Sequence, residues 1–144
     1  MTSPMAALGL AAATLAGTGF SSVRRLYRLA GDGPLAELLL EVWSLREELN
    51  QPWLMELAAL AVRPDLDLEA MLGQRLELHA TLADGGSLMR AGVVTAARAE
   101  ESDGGFARYR LDVQPWLALL AYTRRSQVWQ EQALPDILGS VFSR

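Results

Sequence analysis

The 144-residue sequence contains no cysteine and no lysine, and its one histidine is His79. The absence of cysteine excludes disulfides, thiolate metal sites and cysteine nucleophiles. The absence of lysine excludes Schiff-base chemistry and the lysine of phosphate-binding loops. Charged residues make up only 21% and the net charge is −4, which argues against nucleic acid or an anionic membrane surface as a partner.

Long hydrophobic runs are also missing. Residues 1–20 carry no charge, but the apolar stretch 5–16 is shorter than the roughly 20 residues that span a bilayer. No basic residue precedes it, as one would in an export signal. We expect residues 1–20 to be an apolar, poorly ordered leader. A short helix packed on the domain, a weak export signal and a helix that docks on a partner are the alternatives.

Residues 21–144 are long enough for one domain. Most of this range shows alternating apolar and polar residues. This period of two predicts strands at 24–30, 35–45, 74–83, 87–102 and 106–115. The 35–45 run also contains many helix formers, and the apolar run 53–62 fits either element. The expected inward side chains of the two clearest strands are Leu76, Leu78, Ala80 and Leu82, and Ala107, Tyr109, Leu111 and Val113.

Turn and cap residues separate these runs. Asp84-Gly85-Gly86 and Asp103-Gly104-Gly105 predict hairpin turns, and thus an antiparallel meander from 74 to 114. A short helix is expected from the Asp67 cap to Gly73, and another near Pro135-Asp136. Residues 46–52 read as a polar connection. The fold class predicted is mainly β with short helices, an antiparallel barrel-like domain.

The residues that could carry chemistry are few. Glu77 and His79 share one strand face and can hydrogen-bond, but a solvated pair is favoured over a catalytic one. The same holds for the acidic pairs Glu47-Glu48, Glu100-Glu101 and Asp65-Asp67, since solvent keeps both carboxylates ionised. The glycine-rich turns lie between strands and do not open onto helices, so they do not indicate phosphate binding.

Aromatic residues are interleaved with arginine at two places, 24–28 and 108–110. Such patterns occur in single-strand nucleic-acid binders, but solvated strand faces or intersubunit ion pairs are favoured here. Of the four tryptophans, Trp129 lies in a polar run and is the expected interface anchor. Core packing is favoured for the other three, Trp43, Trp53 and Trp116. No catalytic, cofactor-binding or metal-binding residue is predicted.

Several blocks resemble a known family. They are D-G-G-F-A-R-Y-R-L at 103–111, P-W at 115–116, S-Q-V-W-Q-E at 126–131 and P-D-I-L at 135–138. In order and spacing they are similar to the N-terminal hub region of VgrG, the type VI secretion system tip protein. The resemblance covers residues 24–144, and VgrG is similar in turn to the hub proteins of contractile phage baseplates.

The resemblance implies a phage-baseplate-hub type of fold and a structural role without catalysis or cofactors. It implies a homotrimer in the full-length protein, seated on the inner tube and in contact with baseplate proteins and effectors or adaptors. It places the protein in the bacterial cytoplasm before firing and outside the cell afterwards. This chain is incomplete relative to the family, so it is a fragment or a truncated product.

Two other functions stay open from the residues themselves. One is a stand-alone small β-barrel binding module for a ligand or single-stranded nucleic acid. The other is a hydrolase that uses carboxylates, which would need two acidic residues buried together. Neither nucleic acid binding nor stable membrane insertion is expected of this segment.

Overall fold

The computed structural model describes residues 26–100 and 105–143. Within these residues, strands β1 to β6 are Tyr27–Gly31, Leu39–Arg46, Leu54–Ala61, Arg75–Thr81, Ser87–Ala99 and Ala107–Gln114. The α-helices are α1, Leu68–Met71, and α2, Leu134–Phe142, and the 3₁₀ helices are Gly33–Glu37 and Trp116–Tyr122. None of the helices in these ranges is both long and apolar enough to cross a membrane.

The six strands form one antiparallel sheet in the order β1-β4-β5-β6-β3-β2. The sheet curls into a half-barrel, because the strands at its two ends approach each other. Tyr27 of β1 and Trp43 of β2 meet edge to face, with ring centroids 5.6 Å apart at 63°. The mainly β, antiparallel, barrel-like fold predicted from the alternation is confirmed.

Alternation decides which side chains face inward. The inner face of β4 carries Leu76, Leu78 and Ala80, all buried, and its other face carries the polar residues of the same strand. Strand β6 follows the same rule. The core cluster collects buried side chains from five strands, the first 3₁₀ helix and α1, with Tyr109, Leu35, Met55, Met71, Leu76 and Leu111 the largest of those fully enclosed. The inward sets predicted for β4 and β6 are confirmed, except that Leu82 lies past the end of β4 and is exposed.

The turn chemistry also agrees with the sequence. Gly85 takes φ +83°, its N–H donates to the Leu82 carbonyl at 3.0 Å, and the Asp84 carboxylate accepts from Gly86 N at 2.8 Å. Asp67 caps α1 by accepting from Ala70 N at 3.0 Å. The turn predicted at 103–105 lies mostly outside the described residues, as do Arg24, Arg25, Glu101 and the leader.

The run 35–45 differs from the single strand expected. Its first residues form the 3₁₀ helix Gly33–Glu37, because Pro34 favours the start of a helix and lacks the N–H that a strand would use. The strand begins at Leu39 and contains a register shift between Leu40 and Val42. This bulge moves Trp43 and Leu45 to the inner face, against the strict alternation. The ambiguous run 53–62 is a strand, β3.

The C-terminal segment, residues 115–143, follows the sheet and adds little to its core. It contains the second 3₁₀ helix, an irregular stretch and α2, and Ala118 is its one buried apolar residue among those described. The core prediction for Trp116 is wrong, since its side chain is 54% exposed. Trp129, the expected exposed anchor, is half-buried instead.

Candidate assembly surfaces

Ion pairs between neighbouring strands cover the outer face of the sheet. Two nitrogens of the Arg108 guanidinium, Nε and Nη2, each donate to the Glu41 carboxylate at 2.8 Å. This ion pair extends from β6 across β3 to β2. Arg110 pairs with Glu100, and Arg98 lies 3.7 Å from Asp112. These exposed pairs contribute little stability each. They do pair the arginines of the 108–110 block with carboxylates of the same chain, so that block does not form a free basic groove.

Glu77 lies at the centre of a small polar cluster on β4. Its carboxylate accepts from Arg75 Nε at 3.0 Å, and His79 Nε2 lies 2.9 Å from its other oxygen. The hydrogen bond from Arg75 and then that from His79 lower the pKa of Glu77 below its ordinary value. The predicted contact between Glu77 and His79 is therefore present. Its lowered pKa favours the ionised carboxylate between the two partners.

The described members of the other acidic pairs are also surface groups. Arg63 Nε donates to Asp65 at 3.2 Å, and this hydrogen bond lowers the pKa of that carboxyl group. Glu47 accepts from Arg90 at 2.7 Å. No charged side chain is buried in the described ranges, and within them no group of three acidic or histidine side chains comes together as metal ligands.

One end of the half-barrel is closed by the connection between β2 and β3. Trp53 lies over Gly92 of β5, so closely that a Cβ on this glycine would meet the indole ring at 2.6 Å and the Gln114 carbonyl at 2.5 Å. The Arg90 guanidinium lies over the indole ring, with its Cζ 5.4 Å from the ring centroid. The backbone of β5 at Gly92 therefore approaches the Gln114 carbonyl closely, and the bulge of β5 occurs further along, between Val94 and Ala96. No local sequence pattern identifies Trp53 as the residue that packs on Gly92.

More than half of the exposed large apolar side chains among the described residues belong to the C-terminal segment. Helix α2 packs on the second 3₁₀ helix through Phe142 and Trp116, whose rings meet edge to face at 5.4 Å. Both rings nevertheless remain more than a third exposed. The other exposed large apolar residues of this segment are Leu117, Leu119, Tyr122, Val128, Leu134, Leu138 and Val141. Exposed apolar side chains that are concentrated in one part of a chain often mark an interaction site, so this surface is the best candidate for an assembly contact.

The C-terminal segment also contains a cavity that is lined by both polar and apolar side chains. Leu120, Arg125, Trp129 and Val141 are among the residues that border a cavity of about 380 Å³. Trp129, expected to be an interface anchor, therefore lies at the edge of this cavity, where one part of its ring is covered and another is open.

The model of the phage tail baseplate hub (GPD) family matches residues 46–144. The chain belongs to this family. It is 37% identical over 120 residues to the type VI secretion system spike protein VgrG1b of Pseudomonas aeruginosa, covering 82% of this chain and 16% of that protein. To VgrG1c of the same organism it is 34% identical over 125 residues, covering 85% of this chain and 17% of that protein.

A solved structure has the same fold. It is that of the E. coli c3393 protein, described as a component of the type VI secretion system with structural similarity to the T4 bacteriophage tail proteins gp27 and gp5. The TM-score is 0.66 at 23% identity, over 80% of this chain and 31% of that one. The resemblance to the VgrG hub region is confirmed by these comparisons, and so is the hub-type fold. The chain spans about a sixth of the length of the VgrG relatives.

Proposed function

We propose that this chain is a structural part of a type VI secretion spike, the hub segment of a VgrG-like protein. It contributes to a homotrimeric hub that is seated on the inner tube and helps to deliver effectors. It works by burying surface between subunits and carries out no catalysis. The protein stays in the bacterial cytoplasm before firing and leaves through the apparatus as part of the spike.

The observation that carries this proposal is the open apolar surface of the C-terminal segment in a chain of the baseplate hub family. Nine large apolar side chains of residues 116–142 are exposed there, and the sheet next to them has a complete core of its own. Burying apolar surface is the main driving force of association. We assign this surface to contacts with two further copies of the chain.

The alternative of a small-molecule or nucleic-acid binding module has less support. Side chains such as Tyr109, Met55 and Leu76 fill the inner face of the half-barrel, where a ligand-binding barrel would hold its ligand. A groove for single-stranded nucleic acid needs unpaired cations beside exposed aromatic rings. Arg108 and Arg110 of β6 are instead bound to the carboxylates of Glu41 on β2 and of Glu100, just after β5.

Sedimentation equilibrium over a wide range of protein concentration tests the proposal. The average mass should rise from one copy toward three. The variant Leu134→Glu places a charge in the proposed contact and should remain a single copy, whereas Leu49→Glu, at another exposed leucine in the loop after β2, should associate like the parent. A concentration-independent monomer, or equal association of both variants, would contradict the assignment of the contact to this surface.

A further inference from the structure

A ring of three identical chains needs two different contact surfaces on each chain. A surface that pairs with its own copy closes at two chains, whereas a contact between two unlike surfaces can continue around a ring. The proposed function assigns one such surface, the exposed apolar side chains of residues 116–142. A second, different surface must therefore meet it on the next copy.

The β4–β5 hairpin carries exposed apolar side chains close to its turn. Outside the C-terminal segment, eight large apolar side chains are exposed among the described residues, and three of them lie at residues 82–89, here called the hairpin tip. Leu82 is 46% exposed, and Leu88 and Met89 are each 51% exposed. The hairpin tip is therefore a candidate for the second surface.

The hairpin tip is open because β5 extends past the strand beside it. Leu88 lies directly opposite Ala80 of β4, which is buried on the inner face of the sheet, so Leu88 belongs to that face too. Strand β6 ends opposite Val93. In the part of the chain that the structure describes, residues 87–92 of β5 thus have no strand on that side, and the apolar inner face continues past the core without cover.

The charges of the hairpin tip and of the C-terminal segment are complementary. Asp84 is the one charged residue of 82–89, and its carboxylate accepts from Gly86 N at 2.8 Å without a cation beside it. Arg125 is the one charged residue among the described residues that line the cavity of about 380 Å³. It forms no ion pair within the described ranges, so its guanidinium can attract a carboxylate of another chain.

A second group of exposed apolar side chains lies where β1 and β2 approach each other. It consists of Leu26, Tyr27 and Val42. The charged residue beside this group is Glu41, and Arg108 of the same chain binds both of its carboxylate oxygens at 2.8 Å. This group therefore offers no free carboxylate to the C-terminal segment, whereas the hairpin tip does.

On the basis of the proposed function, we propose that the hairpin tip of one copy docks on the C-terminal segment of the next copy. Leu82 and Leu88 cover apolar side chains of that segment, and Asp84 lies on the side of Arg125. Each copy then contacts one neighbour through its hairpin tip and the other through its C-terminal segment. Three such contacts close a ring, and each removes apolar surface of both partners from water.

Mixing two variants that are each damaged on one surface tests this contact. Leu88→Glu places a charge in the hairpin tip, Leu134→Glu places one in the C-terminal segment, and each alone should sediment as a single copy. In an equal mixture, the intact hairpin tip of one variant meets the intact C-terminal segment of the other. The average mass should then double and rise no further, because the surfaces left over on the pair are both damaged.

Two controls make this test specific. A mixture of Leu134→Glu and Leu138→Glu, which are damaged on the same surface, should remain at one copy. Val42→Glu, at a valine that is 58% exposed outside both surfaces, should associate like the parent chain. Circular dichroism of each variant alone shows whether the sheet is still folded.

The outcomes distinguish this contact from the proposed function. A single copy for Leu134→Glu with parent-like association of Leu88→Glu would overturn the contact and leave the C-terminal surface in place. A mixture that stays at one copy, or an associating Leu88→Glu beside a dissociated Val42→Glu, would also overturn it. A parent chain that stays a single copy at every concentration would contradict the proposed function as well.

Cross-linking tests the same contact without a charge in either surface. The chain has no cysteine, so Leu88→Cys and a tagged Leu138→Cys chain each carry one thiol. A short bismaleimide should join Leu88→Cys to Leu138→Cys in preference to joining either variant to itself. Preferential coupling of Leu138→Cys to a second Leu138→Cys chain would overturn the proposal, because the C-terminal surface would then pair with its own copy.

Discussion

The sheet and the C-terminal segment use similar apolar side chains in opposite ways. In the sheet, β-strand alternation sends Leu, Met and Tyr side chains to one face, where other strands and α1 cover them. In residues 115–143, leucines and aromatic rings of the same kind are held by two short helices, and the chain covers few of them. Apolar composition is therefore not evidence of a core unless the chain also supplies the covering layer.

The sheet contains the folding core of this chain, and the C-terminal segment carries the surface that we propose for assembly. The sheet is stabilised by its own burial and needs no second molecule. The C-terminal segment keeps apolar surface that the other described residues leave in contact with water. Substitutions of the same chemical kind should therefore have different effects in the two regions.

The largest contrast is expected between two leucines. Leu111 is 1% and Leu134 is 68% exposed. Leu111→Ala should lower the free energy of unfolding by about 2–5 kcal/mol, because a cavity is left in the core, whereas Leu134→Ala should change it by less than about 0.5 kcal/mol. Urea unfolding followed by circular dichroism, at a concentration where the chain is a single copy, measures both. Comparable losses would show that α2 is part of the folding core.

Two glycines give the next contrast. Gly92→Ala should destabilise the fold by about 1–3 kcal/mol, because the new methyl group would overlap the Trp53 indole and the Gln114 carbonyl. Gly139→Ala, with open space around it inside α2, should be neutral or stabilise the helix by up to about 1 kcal/mol. Thermal unfolding compares them directly. An unchanged melting temperature for Gly92→Ala would contradict the packing of Trp53 on β5.

A pair of tyrosines sharpens the same comparison. The buried Tyr109 hydroxyl donates to the Arg63 carbonyl at 2.9 Å and accepts from Leu66 N at 3.2 Å. Tyr109→Phe should cost about 1–3 kcal/mol, since it leaves a buried N–H without its partner. Tyr122→Phe changes a ring in the C-terminal segment that is 72% exposed and should have no measurable effect on urea unfolding. An unchanged free energy of unfolding for Tyr109→Phe would mean that these two hydrogen bonds make no net contribution to stability.

The smallest effect concerns pH. The pKa of Glu77 is lowered in the folded chain by Arg75 and His79. Its ionised form therefore stabilises the fold above its ordinary pKa of 4.5, and this contribution is lost as pH falls through the lowered value. Glu77→Gln should reduce the decrease in unfolding free energy on acidification, more than Glu131→Gln in the C-terminal segment does. Identical acid profiles for the two variants would contradict a stabilising role for the Glu77 cluster.

Local patterns were enough to predict much of the fold. The meander from β4 to β6 follows from period-two alternation and from the turn Asp84-Gly85-Gly86. In this turn Gly85 takes the positive φ that the turn requires. The α1 helix follows from its Asp67 cap. These signals act between residues that are close in sequence, so they can be read without knowing the three-dimensional structure.

Contacts between distant residues could not be predicted in this way. The bulge in β2 shifts Trp43 inward, and its ring then meets Tyr27 from the opposite end of the sheet. The partner of Gly92 is Trp53, which lies 39 residues earlier in the sequence, just before β3. Trp116 was expected in the core because it is large and apolar, yet residues 115–143 provide too little covering structure to bury it. The candidate assembly surface exists because few described residues pack over the apolar side chains of this segment. No local sequence pattern predicts this.

Hydrogen–deuterium exchange at low and high protein concentration tests the central claim most directly. We predict that amides of β3, β4 and β6 are protected at both concentrations, because the sheet is covered by its own chain. Amides of residues 115–143 should be weakly protected at low concentration and gain protection at high concentration, as further copies cover them. Strong protection of residues 115–143 at the lowest concentration, or none at the highest, would contradict the account.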